Sequence, residues 1–300
     1  MEIIKFQEDH IIPLFQYWKR LADKVPYFFS VSPEKWRTCL LEDKLGDENM
    51  FLFQELWIAV ERGQIIGFCQ YGQPSLAWDQ EGQQYANPQI GLLRHFYFDE
   101  DRLDAADLLF RQSENYLSQF LAQHAFYHIF GMSCNAHHGK LHQSLDHVHR
   151  FLCKHGYEVE HENVYYTLEL RESEPVLEAE LKLVPDVSAE SDTQDYEICL
   201  SNHWIGTIQL RSLDGVTGGR TTDIAYMTWI EITSALRRQG WGTRSMQTLI
   251  AQLCSQNYRQ LHLDTASTNL AAQQFYEHFG FENRGRTRCY VKTTRLYTHH

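Results

Sequence analysis

The chain has 300 residues, 43% of them hydrophobic and 22% charged, which is enough apolar material for two cores at the usual domain size. A net charge of −12 argues against nonspecific nucleic-acid binding and is compatible with a cationic acceptor such as an amine. No run of 18 apolar residues occurs, the opening MEIIKFQEDH has neither the basic region nor the apolar core of a secretion signal, and the seven cysteines are dispersed with no Cys-x-x-Cys pair. The expectation is a cytoplasmic protein with reduced thiols, no membrane span and no nucleic-acid partner.

In chain order, EIIKF reads as a strand, followed by helices over about Ile11–Ala22 and Pro33–Leu45. Leu56–Val60 and Ile65–Tyr71 flank an Arg62-Gly63 turn and read as a hairpin. A polar loop over Gly72–Gln89 leads to a strand at Gly91–Phe98, a helix at Ala105–Phe120 and a strand at Phe126–Met132. A helix from His142 to His155 ends at Gly156, and Val164–Leu170 is a strand. Residues 171–194 are acidic, contain Pro175 and Pro185, and read as a linker with one short element near Val176–Leu183.

The most informative stretch is Ile230–Gly242, IEITSALRRQGWG. An apolar strand turns through Leu236–Gln239 to two glycines, and Met246, Leu249, Ile250 and Leu253 then recur at helical spacing. A helix start of this kind presents unpaired backbone N–H groups at the positive end of the helix dipole. Glycine at 240 and 242 would let a ligand approach the backbone without meeting a Cβ. These features predict an anion site, most simply for phosphate. A nucleotide P-loop fits less well because no Gly-Lys-Ser/Thr follows, and a dinucleotide fingerprint because the third glycine is absent.

Arg237-x-x-Gly240-x-Gly242 resembles the Arg/Gln-x-x-Gly-x-Gly/Ala loop of the GNAT superfamily of N-acetyltransferases. Downstream, after the short strand Leu261–Thr265, Asn269 to Phe281 resembles that family's Asn-x-x-Ala-x-x-Phe-Tyr-x-x-x-Gly-Phe segment. The resemblance covers residues 195 to 292. It implies an acetyl-coenzyme A site in which backbone amides at Arg238, Gln239, Gly240, Trp241, Gly242 and Thr243 hold the pyrophosphate. It also implies that Ile230 and Ile232 pair with the pantetheine arm as an added strand would. Arg237 belongs to the loop motif, and Asn269 matches an asparagine that contacts the cofactor, although a helix N-cap explains Asn269 equally. Tyr276 falls where the family has a general acid for the departing thiolate; the plain alternative is a core tyrosine with its hydroxyl at the edge.

The first half follows the same element order. Gly67 answers to Gly206, Phe96-Tyr97-Phe98 to Ile230-Glu231-Ile232, and Phe151–Glu158 to Phe275–Glu282. The loop is lost, with Leu103, Ala106 and Leu108 where Arg237, Gly240 and Gly242 would fall, and Leu152 replaces Tyr276. The acidic run Asp99, Glu100, Asp101, Asp104 and Asp107 also disfavours a pyrophosphate. The expected fold class is therefore α/β (α+β): two tandem GNAT-like domains, each a mixed, mostly antiparallel twisted sheet flanked by helices. Residues 1–170 form the degenerate copy, 171–194 the linker and 195–300 the catalytic domain. The second copy has little room for the helices that wall an acceptor site, so the first domain or a partner chain is expected to supply that wall.

Glu231 lies between two isoleucines, and strand alternation puts it on the opposite face from them. In a dry cleft its carboxylate would accept the amine proton; on a solvated face it would be an ordinary surface charge. The expected activity is transfer of an acetyl group from acetyl-CoA to a small-molecule or peptide amine by direct attack, neither motif containing a nucleophilic cysteine. The alternatives are a non-catalytic acyl-CoA-binding module and an interaction scaffold without cofactor. The histidines between His137 and His155 lack a metal-ligand pattern, so no metal is expected. The basic tail Arg284, Arg286, Arg288 and Lys292 reads as a solvated strand within reach of a ribose phosphate at most.

Overall fold

The computed structural model describes residues 1–25, 31–41, 44–45, 48–78, 84–86, 88–127, 140–171, 180–186, 193–212 and 223–293. The principal elements in chain order are β1 (Glu2–Lys5), α1 (Ile11–Ala22), α2 (Pro33–Leu41), β2 (Phe51–Glu61), β3 (Gln64–Pro74), β4 (Ile90–Phe98), α3 (Leu103–Leu117), β5 (Ala122–Ala125) and α4 (Asp146–Lys154). They continue with β6 (Glu158–Glu169), β7 (Leu181–Pro185), β8 (Thr193–Leu200), β9 (His203–Ser212), β10 (Ile224–Ile232), α5 (Trp241–Ser255), β11 (Gln260–Ala266), α6 (Leu270–His278) and β12 (Glu282–Thr293).

The chain divides into two compact units, Met1–Glu162 with Arg286–His300, and Asn163–Gly285. The first unit therefore takes its closing strand from the C-terminal end of the sequence. The second begins inside β6, before the linker. In unit 1, β1, β2, β3 and β4 run antiparallel in that order, β4 pairs parallel with β5, and β5 pairs antiparallel with Tyr290–Thr293 of β12. In unit 2, β7, β8, β9 and β10 are antiparallel, β10 pairs parallel with β11, and β11 pairs antiparallel with Asn163–Glu169 of β6.

The two units share a local device. In each, the parallel pair lasts four residues and then parts. β10 pairs with β11 only over Ile224–Met227, and β4 with β5 only over Ile90–Leu93. A register shift marks each fork, opposite Gln209/Leu210 in β9 and Gln70/Tyr71 in β3. Beyond the fork, one edge of β10 carries backbone groups without a ladder partner among the described residues, a template for an extended ligand. Gly67 sits opposite Phe98 and Gly206 opposite Ile232. A Cβ at Gly67 would come 2.9 Å from the Tyr97 carbonyl oxygen, and one at Gly206 would strike the carbonyl of Glu231. The glycines that matched in sequence are thus required by the same close approach in both units.

Helical periodicity maps onto burial as expected. Leu14, Tyr17, Trp18 and Leu21 bury one stripe of α1, and Met246, Leu249 and Leu253 bury one stripe of α5. α2 ends at Leu41 rather than Leu45, and α4 begins at Asp146 because His142 and Ser144 make a side-chain-capped turn first. A strand lies at Ala122–Ala125 and stops before Phe126, whose φ is 52°, while residues 128–132 of the strand expected at Phe126–Met132 lie outside the described residues. The segment expected as a polar loop is partly strand: β3 runs on to Pro74, and Leu76–Trp78 pairs with Gln84–Ala86. Linker residues 172–179 and 187–192 lie outside the described residues, while Leu181–Pro185 adds an edge strand to unit 2. No helix among the described residues is long and apolar enough to cross a membrane.

Candidate active site

In unit 2 the divergence of β10 from β11 opens a cleft of about 830 Å³. One face of β10 supplies Ile230 and Ile232, the turn supplies Arg237, Arg238, Gly240, Gly242 and Thr243, and α6 supplies Ala271, Ala272, Gln274, Phe275, Tyr276 and His278. Strand, glycine turn and helix therefore converge on one cleft.

The turn is fixed by its own residues. Gly240 is the N-cap of α5 with φ 87°, a left-handed conformation in which glycine carries no steric penalty. Arg238 precedes it at φ 65°. No side chain caps α5, and its first helical bond is Arg244 N–H to Gly240 O at 3.1 Å. The N–H groups of Trp241, Gly242 and Thr243 lie ahead of that bond, at the positive end of the dipole. The two glycines differ in purpose. A Cβ at Gly240 would meet nothing within 4 Å, so its backbone angle explains it; a Cβ at Gly242 would touch Phe275 at 3.8 Å and Ile232 at 3.9 Å, ordinary contact inside the cleft.

Arg237 braces the turn against the strand that precedes it. Its Nε donates to Ile232 O at 2.8 Å, and an η nitrogen donates to Glu231 Oε1 at 2.8 Å. Glu231 is thereby placed in an ion pair on an exposed face, its side chain 45% accessible, and not in the cleft. The reason is the alternation itself: Ile230 and Ile232 take the cleft side, which leaves Glu231 outside. Gln239 and Trp241 do not line the cleft by their side chains. The Gln239 amide folds back on Ala235 O at 3.1 Å, and the Arg244 guanidinium lies 4.7 Å over the Trp241 ring. Asn269 caps α6, its Oδ1 accepting from Ala272 N–H at 3.2 Å.

Tyr276 is buried yet lines the cleft, packed among Tyr166, Phe275 and Phe281. Its hydroxyl makes no hydrogen bond among the described residues. Burial, and then the carboxylate of Asp264, push its pKa up to about 12, which keeps the phenol a proton donor. Asp264 is the first residue of β11 beyond the parallel pairing. Asn163 Nδ2 donates to Asp264 Oδ1 at 2.9 Å, and the buried Tyr226 phenol is held protonated by burial first and Asp264 second. Beside it, Tyr165 Oη and His262 Nδ1 are 2.8 Å apart and His262 Nε2 is 2.9 Å from Gln260 Oε1. Burial first, and Arg284 second, lower the His262 pKa to about 3, so the ring is neutral. In the sequence, Asp264 is marked only as an acidic residue inside the alternating strand Leu261–Thr265.

The corresponding place in unit 1 is filled. Phe151 of α4 packs 5.2 Å from Phe96, 5.4 Å from Phe98 and 5.5 Å from Phe110, ring centre to ring centre. His147 Nε2 donates to Phe98 O at 2.9 Å. What remains is a recess of about 250 Å³ lined by Glu100, Leu103, Asp107, His147, Arg150, Phe151 and Lys154. Arg102, in the turn after β4, is tied to Glu61 at 2.8 Å and to Asp104 at 3.0 Å. Among the described residues no three His, Cys, Asp or Glu side chains form a metal site, and His137 and His138 lie outside them. The basic tail is consumed by ion pairs: Arg286 and Arg288 with Glu162, Lys292 with Glu114, and Arg284 with Glu282.

Residues 159–281 match the family model described as the acetyltransferase (GNAT) family. No curated protein matches the sequence. Among solved structures, the chain is similar to a tandem GNAT protein from the clavulanic acid biosynthesis pathway, at 11% identity and a TM-score of 0.64, covering 97% of this chain and 98% of that one. It is similar also to a GCN5-related N-acetyltransferase from Sphaerobacter thermophilus, at 10% identity and a TM-score of 0.62, covering 97% and 95%. A third similar structure is the GCN5-related glucosamine N-acetyltransferase region of a fungal multi-domain GH3 β-N-acetylglucosaminidase, at 13% identity and a TM-score of 0.65, covering 97% of this chain and 38% of that one. At these identities the likeness establishes fold.

Proposed function

We propose, on the premise that this chain belongs to the GNAT superfamily and carries its fold twice, that unit 2 transfers an acetyl group from acetyl-CoA to an amine by direct attack. The observation that carries this reading is the convergence, in one cleft, of a left-handed Gly240 turn at an uncapped helix start, an unpaired strand edge and a buried protonated tyrosine. The N–H groups at the start of α5 suit a pyrophosphate. The free edge of β10 suits the amide-bearing arm. Arg237 holds turn and strand in register through Ile232 O and Glu231.

Tyr276 is the general acid in this reading. As the amine nitrogen bonds to the carbonyl carbon and the carbon–sulfur bond breaks, the leaving thiolate takes the phenolic proton. The proton lost by the amine goes to Asp264, whose carboxylate is oriented by Asn163 and stands at the fork, rather than to Glu231, which is engaged by Arg237. Among the described residues no cysteine lines the cleft, which favours direct transfer over an acyl-enzyme. Unit 1 has a structural role, its cleft occupied by Phe151 and His147.

The test is thiol release from acetyl-CoA over a panel of amines, with wild type and Tyr276→Phe. Amine-dependent release that drops sharply in the variant while acetyl-CoA affinity is kept supports an enzyme. Tight binding of acetyl-CoA with no amine-dependent release would make unit 2 a binding module instead.

A further inference from the structure

β10 has a second side. Trp229 and Glu231 project from it opposite to Ile230 and Ile232, and the register continues this face across β9 and β8. Trp229 neighbours Gln209 and Asp195; Glu231 lies in one row with Thr207 and Glu197; Trp204 lies in the next, beside Cys199. The apolar residues of α5 and α6 pack into the core on the other side of the sheet. Trp229 and Trp204 are consequently 52% and 54% exposed.

The charges on this face are unevenly committed. Glu231 is paired with Arg237. Asp195 accepts from the Gln209 amide at 3.2 Å through one oxygen, while its other oxygen is buried without a partner. Glu197 is exposed and has no ion-pair partner among the described residues. The cations Lys182 and Arg211 stand at the margins, one strand or one row away.

Two indoles flanking carboxylates exclude most occupants. A purely apolar partner would desolvate Glu197 unpaired. A second copy of a chain with net charge −12 would set acid against acid. A cationic chain satisfies both features, its ammonium over an indole face and against a carboxylate.

We infer that this face receives the acceptor and selects one carrying a second cationic centre several ångströms from the reacting amine, held by Trp229 and Glu197. The inference rests on the amine-acetylation reading of the same unit. Trp229 stands two residues beyond Met227, the last residue of β10 paired with β11, so this face leads to the fork beside its ring.

The experiment compares pentylamine with 1,5-diaminopentane as acceptors for the full chain. The diamine should show a kcat/KM at least about fivefold higher, from one cation–π contact and one exposed ion pair. Glu197→Gln should erode that preference through the KM of the diamine while leaving pentylamine turnover and acetyl-CoA affinity unchanged, and Trp229→Ala should narrow the ratio of the two kcat/KM values with acetyl-CoA affinity unchanged. Direct binding is measured alongside, by quenching of tryptophan fluorescence with 1,5-diaminopentane in the presence of coenzyme A. Quenching in wild type that is lost in Trp229→Ala supports the docking face even if no amine turns over, an outcome that would count only against the catalytic reading. Equal kcat/KM for the two amines, or diamine binding indifferent to Trp229 and Glu197, overturns the inference and leaves acetyl transfer intact.

Discussion

Leu152 and Tyr276 accept the same hydrogen bond in the two units: Tyr157 N–H donates to Leu152 O and Phe281 N–H to Tyr276 O, each at 3.1 Å. Both bonds close a helix whose next turn ends in a left-handed glycine, Gly156 or Gly280. One backbone position thus carries a phenol in unit 2 and an alkyl group in unit 1. Tyr276→Phe is expected to lower kcat by about 10²-fold, the usual scale for a positioned acid, with acetyl-CoA affinity unchanged. A loss confined to KM would assign the hydroxyl to binding instead.

The Asn163–Asp264 contact makes a second prediction. Asp264→Asn should depress kcat/KM for amines by at least about tenfold, while Asn163→Ala, which removes only the orienting donor, should cost less. Steady-state kinetics on both variants and on Glu231→Gln separates the two carboxylates. If Glu231→Gln is the more damaging substitution, the proton acceptor lies on the outer face of β10 and Asp264 is structural.

The two loop glycines should respond differently. Gly240→Ala forces a side chain into a left-handed backbone at about 1–2 kcal/mol, and the turn is expected to relax and lose acetyl-CoA affinity. At Gly242 the added methyl meets Phe275 at ordinary contact distance, so Gly242→Ala should fold normally and lose much less affinity. Titration calorimetry on the pair checks the order.

Buried histidines make stability fall in acid. The His262 pKa is about 3 folded against about 6.5 unfolded. Between those values the unfolded chain binds more protons, so this stabilisation is complete above about pH 6.5 and is lost progressively down to about pH 3. By pH 5 that is about 2 kcal/mol from His262 alone. Burial lowers the His95 pKa in unit 1 in the same direction. Urea unfolding from pH 7 to 5 should show the decline, and His262→Gln should make it shallower.

The glycine turn, both motif helices and the loss of the loop in the first half were legible in the sequence, because they depend on local spacing: Arg237 to Gly242, Asn269 to Gly280, and Gly67 against Gly206. The repeat was legible for the same reason, since the glycines are demanded by backbone contact rather than by a ligand. What was not legible depends on strands that meet only in the folded chain. Asn163 finds Asp264 across β6 and β11, with β7 to β10 and α5 between them in sequence. Arg237 finds Glu231 only because the turn folds back on its own strand. The aromatic filling of the unit 1 cleft by Phe151 was hidden because Phe275 stands at the same position in unit 2, where it lines an open cleft.

The most direct test of the account is calorimetric titration of the full chain with acetyl-CoA, alongside Gly240→Val. One site per chain is expected, lost in the variant, with wild type stabilised by about 2.7 kcal/mol at a hundredfold excess over Kd. Two sites per chain, or a single site that survives Gly240→Val, would contradict the assignment of the cofactor to the unit 2 turn.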